Sequence, residues 1–263
     1  MARIIVLLKD IVDLTEMKVD PETRQPKTEG VKRKISEVDK RALETAIKLK
    51  ESGEGEVIAL SMGGSGTRTA LLAALAMGAD AAYIINDEAL AGVDALATSK
   101  VLKAAVEKLG DYDLIIGGEM ALDSLSAQVC PRLAELLGLP QVTYVKEIEL
   151  GEGTLRAVRD LEDVDEVVEV DLPAVVAVVR EVNEPRIPSL MNIMKAKRKP
   201  TEEWDAEAVG LSAEEVKASS SVEVLKVEAP KVDRKRIVIK ADTIEDAVLQ
   251  LAEAIVSEGV LER

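Results

Sequence analysis

Apolar and polar positions follow two rhythms along this chain, and the switches between them predict its elements. Short apolar runs at 3–8 (RIIVLL), 56–61 (EVIALS), 81–85 (AAYII) and 112–118 (YDLIIGG) each predict a strand covered on both faces. Stretches with helical spacing separate them. Across 38–49, Val38, Ala42, Leu43, Ala46 and Ile47 fall on one stripe, and helices are also predicted at 68–77, 92–109 and 127–138. Four strand-then-helix units predict an α/β fold with a mostly parallel, doubly wound sheet and helices on both faces.

The rhythm changes after residue 140. Segments 141–150, 154–160, 165–171 and 173–179 read as strands with short Gly- or Asp-bearing connections, predicting antiparallel hairpins that extend the sheet or lie beside it. Segment 183–200, NEPRIPSLMNIMKAKRKP, reads as a proline-punctuated loop that closes an α/β domain spanning 1–200. Residues 201–235 are polar and show no period, and 244–261 is an amphipathic helix. Weakly structured chain before one helix cannot bury itself, so 201–263 predicts a C-terminal arm that packs on a partner.

Composition then removes whole classes of chemistry. With no histidine, the chain offers no imidazole for acid–base work or metal binding, and no catalytic or metal-ligating residue is expected. The single cysteine, Cys130, can form neither an internal disulfide nor a four-cysteine metal site, and is expected to be a buried, inert thiol. A net charge of −15 and the near absence of aromatic residues argue against nucleic acid. No apolar run reaches the roughly 18 residues of a membrane span, and MARIIVLLKD reads as a first strand rather than a leader, so a cytoplasmic address is expected.

In doubly wound sheets, ligands sit beyond the carboxyl ends of strands. After the 56–61 strand come Met62, Gly63, Gly64, Ser65, Gly66 and Thr67, where main-chain amides can approach a phosphate ahead of a helix. A plain tight turn explains the same residues. After the 112–118 strand, Ser124 and Ser126 offer hydroxyls and Gln128 an amide, while the N–H groups of 126–129 open a helix. That is a workable diphosphate cradle, but an ordinary helix cap by Ser124 or Ser126 is the plainer reading. Neither loop has Walker A spacing, and the first βα turn lacks G-x-G-x-x-G.

The block GGEMALDSLSAQVCPRLAELLGLPQVTYV resembles the signature loop of the electron transfer flavoprotein beta subunit, in which Gly-x-x-Ala-Ile/Leu-Asp leads to Gln-Val or Gln-Thr and then Leu-x-x-Pro-Gln. NEPRIPSLMNIMKAKRKP is similar to that family's Asn-Glu-Pro-Arg…Asn-Ile-Met-Lys-Ala-Lys stretch. VIALSMGG…ALAMGAD and IVLLKDIVD fall where the family places them, so the likeness runs over about residues 1–200. It implies a fold like that of the adenine nucleotide alpha-hydrolases. It also implies a heterodimer with an alpha subunit carrying a redox-active FAD, and a pocket in this subunit for AMP or a second FAD. Carried over, that pocket comprises Leu7, Lys9, Ser36 to Asp39, Met62 with Gly63, and Gly118 to Val129, including Met120, Ala121, Leu122, Asp123, Ser124, Ser126, Ala127 and Gln128. Ser36-Glu37 stands where many members have Asn-Pro, which weakens the carry-over for 36–39.

The segments EMKVDPETRQP, GVDALATSKVL and PQVTYV look like the group that holds two FADs and bifurcates electrons from NADH. That likeness favours FAD over AMP and places Asp94, Thr98 and Ser99 near the extra flavin. Otherwise, Asp94 caps a helix with Thr98 and Ser99 on its surface. The likeness also implies docking through Leu190, flanked by Lys195 and Lys197, onto an acyl-CoA dehydrogenase-like or quinone-reducing flavoenzyme. A solvated loop is the plain alternative. The function implied is an electron-carrier subunit that positions and tunes a flavin. An ATP-dependent ligase or nucleotide sensor of the same fold is the alternative, although such ligases carry Ser-Gly-Gly-x-Asp-Ser after the first strand and this chain has Leu-Lys-Asp-Ile-Val-Asp.

Overall fold

The structure is a computed structural model that describes residues 2–53, 55–64, 66–231 and 235–259. Strand β1 (Ala2–Leu7) leads into two small antiparallel pairs, β2 (Asp10–Val12) with β5 (Arg33–Ile35) and β3 (Lys18–Val19) with β4 (Pro26–Lys27). Then follow α1 (Glu37–Ser52), β6 (Gly55–Met62), α2 (Thr67–Met77), β7 (Ala81–Ile85), α3 (Ala95–Leu109), β8 (Leu114–Gly118) and α4 (Val129–Leu137). Next come β9 (Gln141–Leu150), β10 (Thr154–Asp160), β11 (Asp165–Asp171), β12 (Ala174–Val178), α5 (Leu190–Ala196), β13 (Thr201–Trp204), α6 (Ala213–Ala218) and α7 (Ile244–Ser257).

Nine strands form one sheet in the order β11-β10-β9-β12-β8-β1-β6-β7-β13. The run from β9 to β13 is parallel, and β10 and β11 extend it as antiparallel hairpins. The hairpins therefore belong to the main sheet. Strand side chains alternate between two cores. Ile4 and Val6 pack with Leu43, Ile47, Leu71 and Leu75 of α1 and α2, whereas Ile5 and Leu7 face Val101, Val106 and Leu133 of α3 and α4. Both cores exclude water, which is why these strands read as unbroken apolar runs.

Two segments depart from the sequence reading. The proline-punctuated stretch carries the short helix α5, started by Ser189, whose hydroxyl accepts the Asn192 N–H at 3.2 Å. Packed chain also continues past residue 200. β13 adds an edge strand beside β7, Trp204 packs at a tilt against Tyr83 with ring centroids 4.8 Å apart, and Ala206, Val209 and Val216 are buried. An edge strand needs apolar contact on one side only, so TEEW lacked the run that betrays a central strand. The predicted helix at 244–261 is seen as α7, whose side chains are largely exposed; positions 260 and 261 lie outside the described residues.

Candidate functional site

The chain runs from β1 outward through β6 and β7, then returns to place β8 on the other side of β1. The strand order reverses between β1 and β8, so their carboxyl ends flank the crevice where this fold class takes ligands. Asp39, in the first turn of α1, closes the base of that crevice. Its buried carboxylate accepts the Lys9 N–H at 2.7 Å and the Gly118 N–H at 3.1 Å, joining the two strand ends. Burial pushes the Asp39 carboxyl up to about 7, with the two main-chain hydrogen bonds pulling the other way. Lys9 makes a second cross-link, from Nζ to Asp123 Oδ1 at 2.8 Å.

Glycine is required at the end of β8. A Cβ on Gly118 would lie 2.5 Å from Asp39 Oδ1, and one on Gly117 would lie 2.6 Å from Cys130 Sγ. Cys130 is buried, and that burial pushes its thiol up to about 12, so it is an inert packing group.

The segment from Met120 through Gln128 loops over this edge. Ala121 O accepts from Ser124 N–H and Leu125 N–H, at 3.2 and 2.9 Å, which turns the chain sharply. Leu125 and Ala127 both take left-handed backbone conformations, with φ of 50° and 51°. Non-glycine residues adopt these at a cost. Ala127, followed by right-handed Gln128, makes the alternating backbone that turns successive N–H groups to one side. Among the described residues, the N–H groups of Ser126, Ala127, Gln128 and Val129 find no protein acceptor. Ser124 and Ser126 are exposed and cap nothing, since Gln128 occupies the cap position of α4 without a side-chain cap bond. The ordinary-cap reading therefore fails. Free amides at a helix start form a donor set that suits a phosphate.

Other predicted residues take less direct places. Ser36 is fully buried; its N–H reaches Lys9 O at 3.0 Å while its hydroxyl finds no partner among the described residues. Leu7 and Leu122 differ sharply, Leu7 lying in the core and Leu122 being exposed at the loop. Met62 is half-buried at the end of β6. Gly63 serves packing, because a Cβ there would meet Thr67 Oγ1 at 2.2 Å, and Ser65 lies outside the described residues. Asp94 caps α3 by accepting the Ala97 N–H. Ser99 is not on the helix surface as the plain reading had it. It is fully buried, and its hydroxyl donates to Ala95 O at 2.7 Å, with a longer contact of 3.4 Å to Val129 O. That contact brings the start of α3 beside the start of α4.

Sequence reasoning passed over Arg132 here and took in Glu119 only as part of the 118–129 span. Arg132 Nε donates to Gln128 Oε1 at 3.1 Å, putting a cation in the first turn of α4; the i, i+4 spacing was the available signal. Glu119, just after β8, has a buried Oε2 with no partner among the described residues, and burial followed by the Glu181 charge raises its carboxyl above the usual range.

The residues expected to dock form a separate surface. Leu190 is 76% exposed, beside Ile187, Met191 and Met194, and Lys195 and Lys197 face solvent. Lys199 takes no part in that surface, because its Nζ is turned inward and donates to Leu75 O at 3.0 Å and Ala79 O at 2.5 Å.

The electron transfer flavoprotein domain family model matches residues 26–209. The chain is 46% identical over 147 residues to the electron transfer flavoprotein subunit beta of Thermoanaerobacterium thermosaccharolyticum, a match covering 56% of each chain, just over half that relative's length. It is 34% identical over 268 residues to the same-named subunit of Megasphaera elsdenii, covering 98% of this chain and 99% of the relative. It is 35% identical to the caffeyl-CoA reductase-Etf complex subunit CarD of Acetobacterium woodii, covering 81% of both. Together with the switch-point loop and the parallel sheet, these likenesses leave the ligase alternative without support, and the chain belongs to the electron transfer flavoprotein family as a beta subunit.

Proposed function

We propose that this chain holds an FAD at the carboxyl edge of β1 and β8 and works as an electron carrier in a heterodimer with an electron transfer flavoprotein alpha subunit. The observation that carries the reading is the row of N–H groups from Ser126 to Val129, which find no acceptor among the described residues, at the start of a nine-residue helix. They suit the diphosphate of a dinucleotide, with Gln128 and Arg132 beside them. Asp39 and the Lys9–Asp123 pair keep the two strand ends at a fixed spacing under that loop. When bound, the flavin supplies the redox chemistry; the chain's own residues bind it, orient it and shield it from water.

FAD rather than AMP is favoured by the likeness of 16–26, 92–102 and 140–145 to the two-flavin group, with NADH as electron donor and bifurcation as the mode of use. The same reading puts Thr98 and Ser99 of α3 near the extra flavin, and the Ser99 hydroxyl is in contact with Val129 O at 3.4 Å. A relative whose name places it in a caffeyl-CoA reductase–Etf complex supports work within a larger reductase assembly. Leu190 and its apolar neighbours form the docking surface for an acyl-CoA dehydrogenase-like or quinone-reducing flavoenzyme. The exposed apolar faces of residues 222–227 and α7 form the arm that packs on the alpha subunit. No helix among the described residues is long and apolar enough to cross a membrane, and a cytoplasmic site of action is part of this proposal.

The test is the nucleotide content of co-purified heterodimer after dialysis, in the parent and in Gln128→Ala. One charge-assisted hydrogen bond contributes about 1.5–3 kcal/mol, so the variant should retain its nucleotide about tenfold less well. Equal retention would remove Gln128 from the pocket.

A further inference from the structure

Asp94 is held from two sides at once. One carboxylate oxygen, Oδ1, accepts the Ala97 N–H at 2.9 Å and caps α3. The other, Oδ2, accepts the N–H groups of Ser221 at 2.7 Å and Val222 at 3.2 Å. In return, the Asp94 N–H donates to the Ser220 hydroxyl at 3.1 Å. These partners lie at the end of the packed chain. Val216, in α6, is buried, whereas Val222, Val224 and Leu225 are 66%, 73% and 87% exposed. Among the described residues no helix or strand follows until Ile244.

We infer that Asp94 is a positioning residue for the C-terminal arm, fixing the point and direction at which it leaves the α/β body, and is not a flavin ligand. A carboxylate suits that task because it is acceptor-only and has two oxygens, so one can cap the helix while the other holds two successive main-chain amides. Both oxygens are committed here, which leaves Asp94 little to offer a cofactor. A second pin lies a few residues on, where the Ala229 N–H donates to Arg24 O at 2.8 Å and Arg24 pairs with Glu228 at 2.8 Å. Between the pins, the apolar residues of 222–227 are displayed outward. The anchor also shares α3 with Ser99, whose hydroxyl contacts the first residue of α4. One helix therefore joins the root of the arm to the edge of the nucleotide cleft.

The variant Asp94→Asn separates the two tasks. Asparagine is as good a helix cap as aspartate, but only one of its side-chain atoms accepts hydrogen bonds. In limited trypsin digestion of the full chain, cleavage after Lys226 should accelerate about tenfold in Asp94→Asn while the thermal transition of the body stays close to the parent's. Cleavage at the parent rate would overturn the inference. Should Asp94→Asn fold poorly, Ser220→Ala removes one arm contact alone and should speed the same cut to a lesser degree; no change would again count against it.

A second readout rests on the proposed packing of the arm on the alpha subunit. Heterodimer affinity should weaken about tenfold in Asp94→Asn with flavin content unchanged. Faster cleavage with unchanged affinity supports the anchor and overturns the arm–partner reading. Lost flavin with unchanged cleavage returns Asp94 to the cofactor pocket and overturns the anchor.

Discussion

Arg186 grips Glu44 with three donors: its main-chain N–H at 3.1 Å and Nε at 2.8 Å both reach Oε2, and an Nη reaches Oε1 at 3.0 Å. The same guanidinium makes two further bonds to Glu51, at 2.6 and 2.8 Å. The Glu44 side chain is only 3% exposed. The Asn183 side-chain amide adds a hydrogen bond, donating to Thr45 Oγ1 at 2.8 Å, so the Asn-Glu-Pro-Arg block is fastened along α1. The block is thus a clamp. It seats the chain that displays Leu190 on the same helix that carries Asp39 to the cleft.

Removing the clamp should be costly. Arg186→Ala leaves the Glu44 carboxylate buried without its cation, an effect worth about 3–5 kcal/mol for fully buried pairs. Because Arg186 is a third exposed, a loss of about 2–4 kcal/mol in unfolding free energy is expected. Denaturant titration checks this, and a change under about 0.5 kcal/mol would show that the network holds nothing in place.

Gly118→Ala should disturb the base of the cleft. Its new methyl group would stand 2.5 Å from Asp39 Oδ1, so either α1 or β8 must shift. Overpacking of this kind costs about 1–3 kcal/mol. The accompanying movement of the 119–128 loop should speed nucleotide loss on dialysis. Stability and nucleotide retention both equal to the parent's would contradict the tight approach of α1 to β8.

Asp39 gives a pH signature with a definite sign. Its folded carboxyl lies near 7, above its ordinary value of 3.8, chiefly through burial. Across that interval the folded chain holds a proton that the unfolded chain has released. Its contribution to stability is therefore fully present below about pH 4 and lost as pH rises towards about 7. Asp39→Asn does not titrate. The parent's unfolding free energy, relative to this variant, should fall by about 1–4 kcal/mol over that range and level off above it. A difference independent of pH would show that Asp39 ionises as an exposed carboxylate does.

Leu190→Ala should slow electron transfer to the acceptor flavoenzyme and leave the bound flavin untouched. An apolar side chain of this size contributes about 1.5–3 kcal/mol when buried in an interface, or about tenfold or more in affinity. Rates measured at limiting acceptor concentration test this. Unchanged rates would take Leu190 out of the docking surface.

Much of the fold was legible because strands covered on both faces must be apolar throughout. RIIVLL, EVIALS and AAYII could hardly be anything else once helical stripes lay between them. What escaped was held by contacts between distant residues. β13 is recognisable only once Trp204 has Tyr83 to pack against, and α5 is hidden by the prolines around it. The 119–129 loop could be located from its position after a strand. Its left-handed Leu125 and Ala127 could not, since neither residue advertises such a conformation. The double role of the Asp94 carboxylate joins residues more than 120 apart, beyond the reach of any local pattern.

The most direct measurement is the identity and amount of adenine nucleotide extracted from heterodimer co-expressed with its alpha subunit. The donor row at Ser126–Val129 and the likeness to the two-flavin group together predict about two FADs per heterodimer with little AMP, and bleaching of flavin absorbance by NADH. One FAD with one AMP and no bleaching would overturn the two-flavin reading. One FAD with no second nucleotide would contradict the central claim that the edge of β1 and β8 is a nucleotide site.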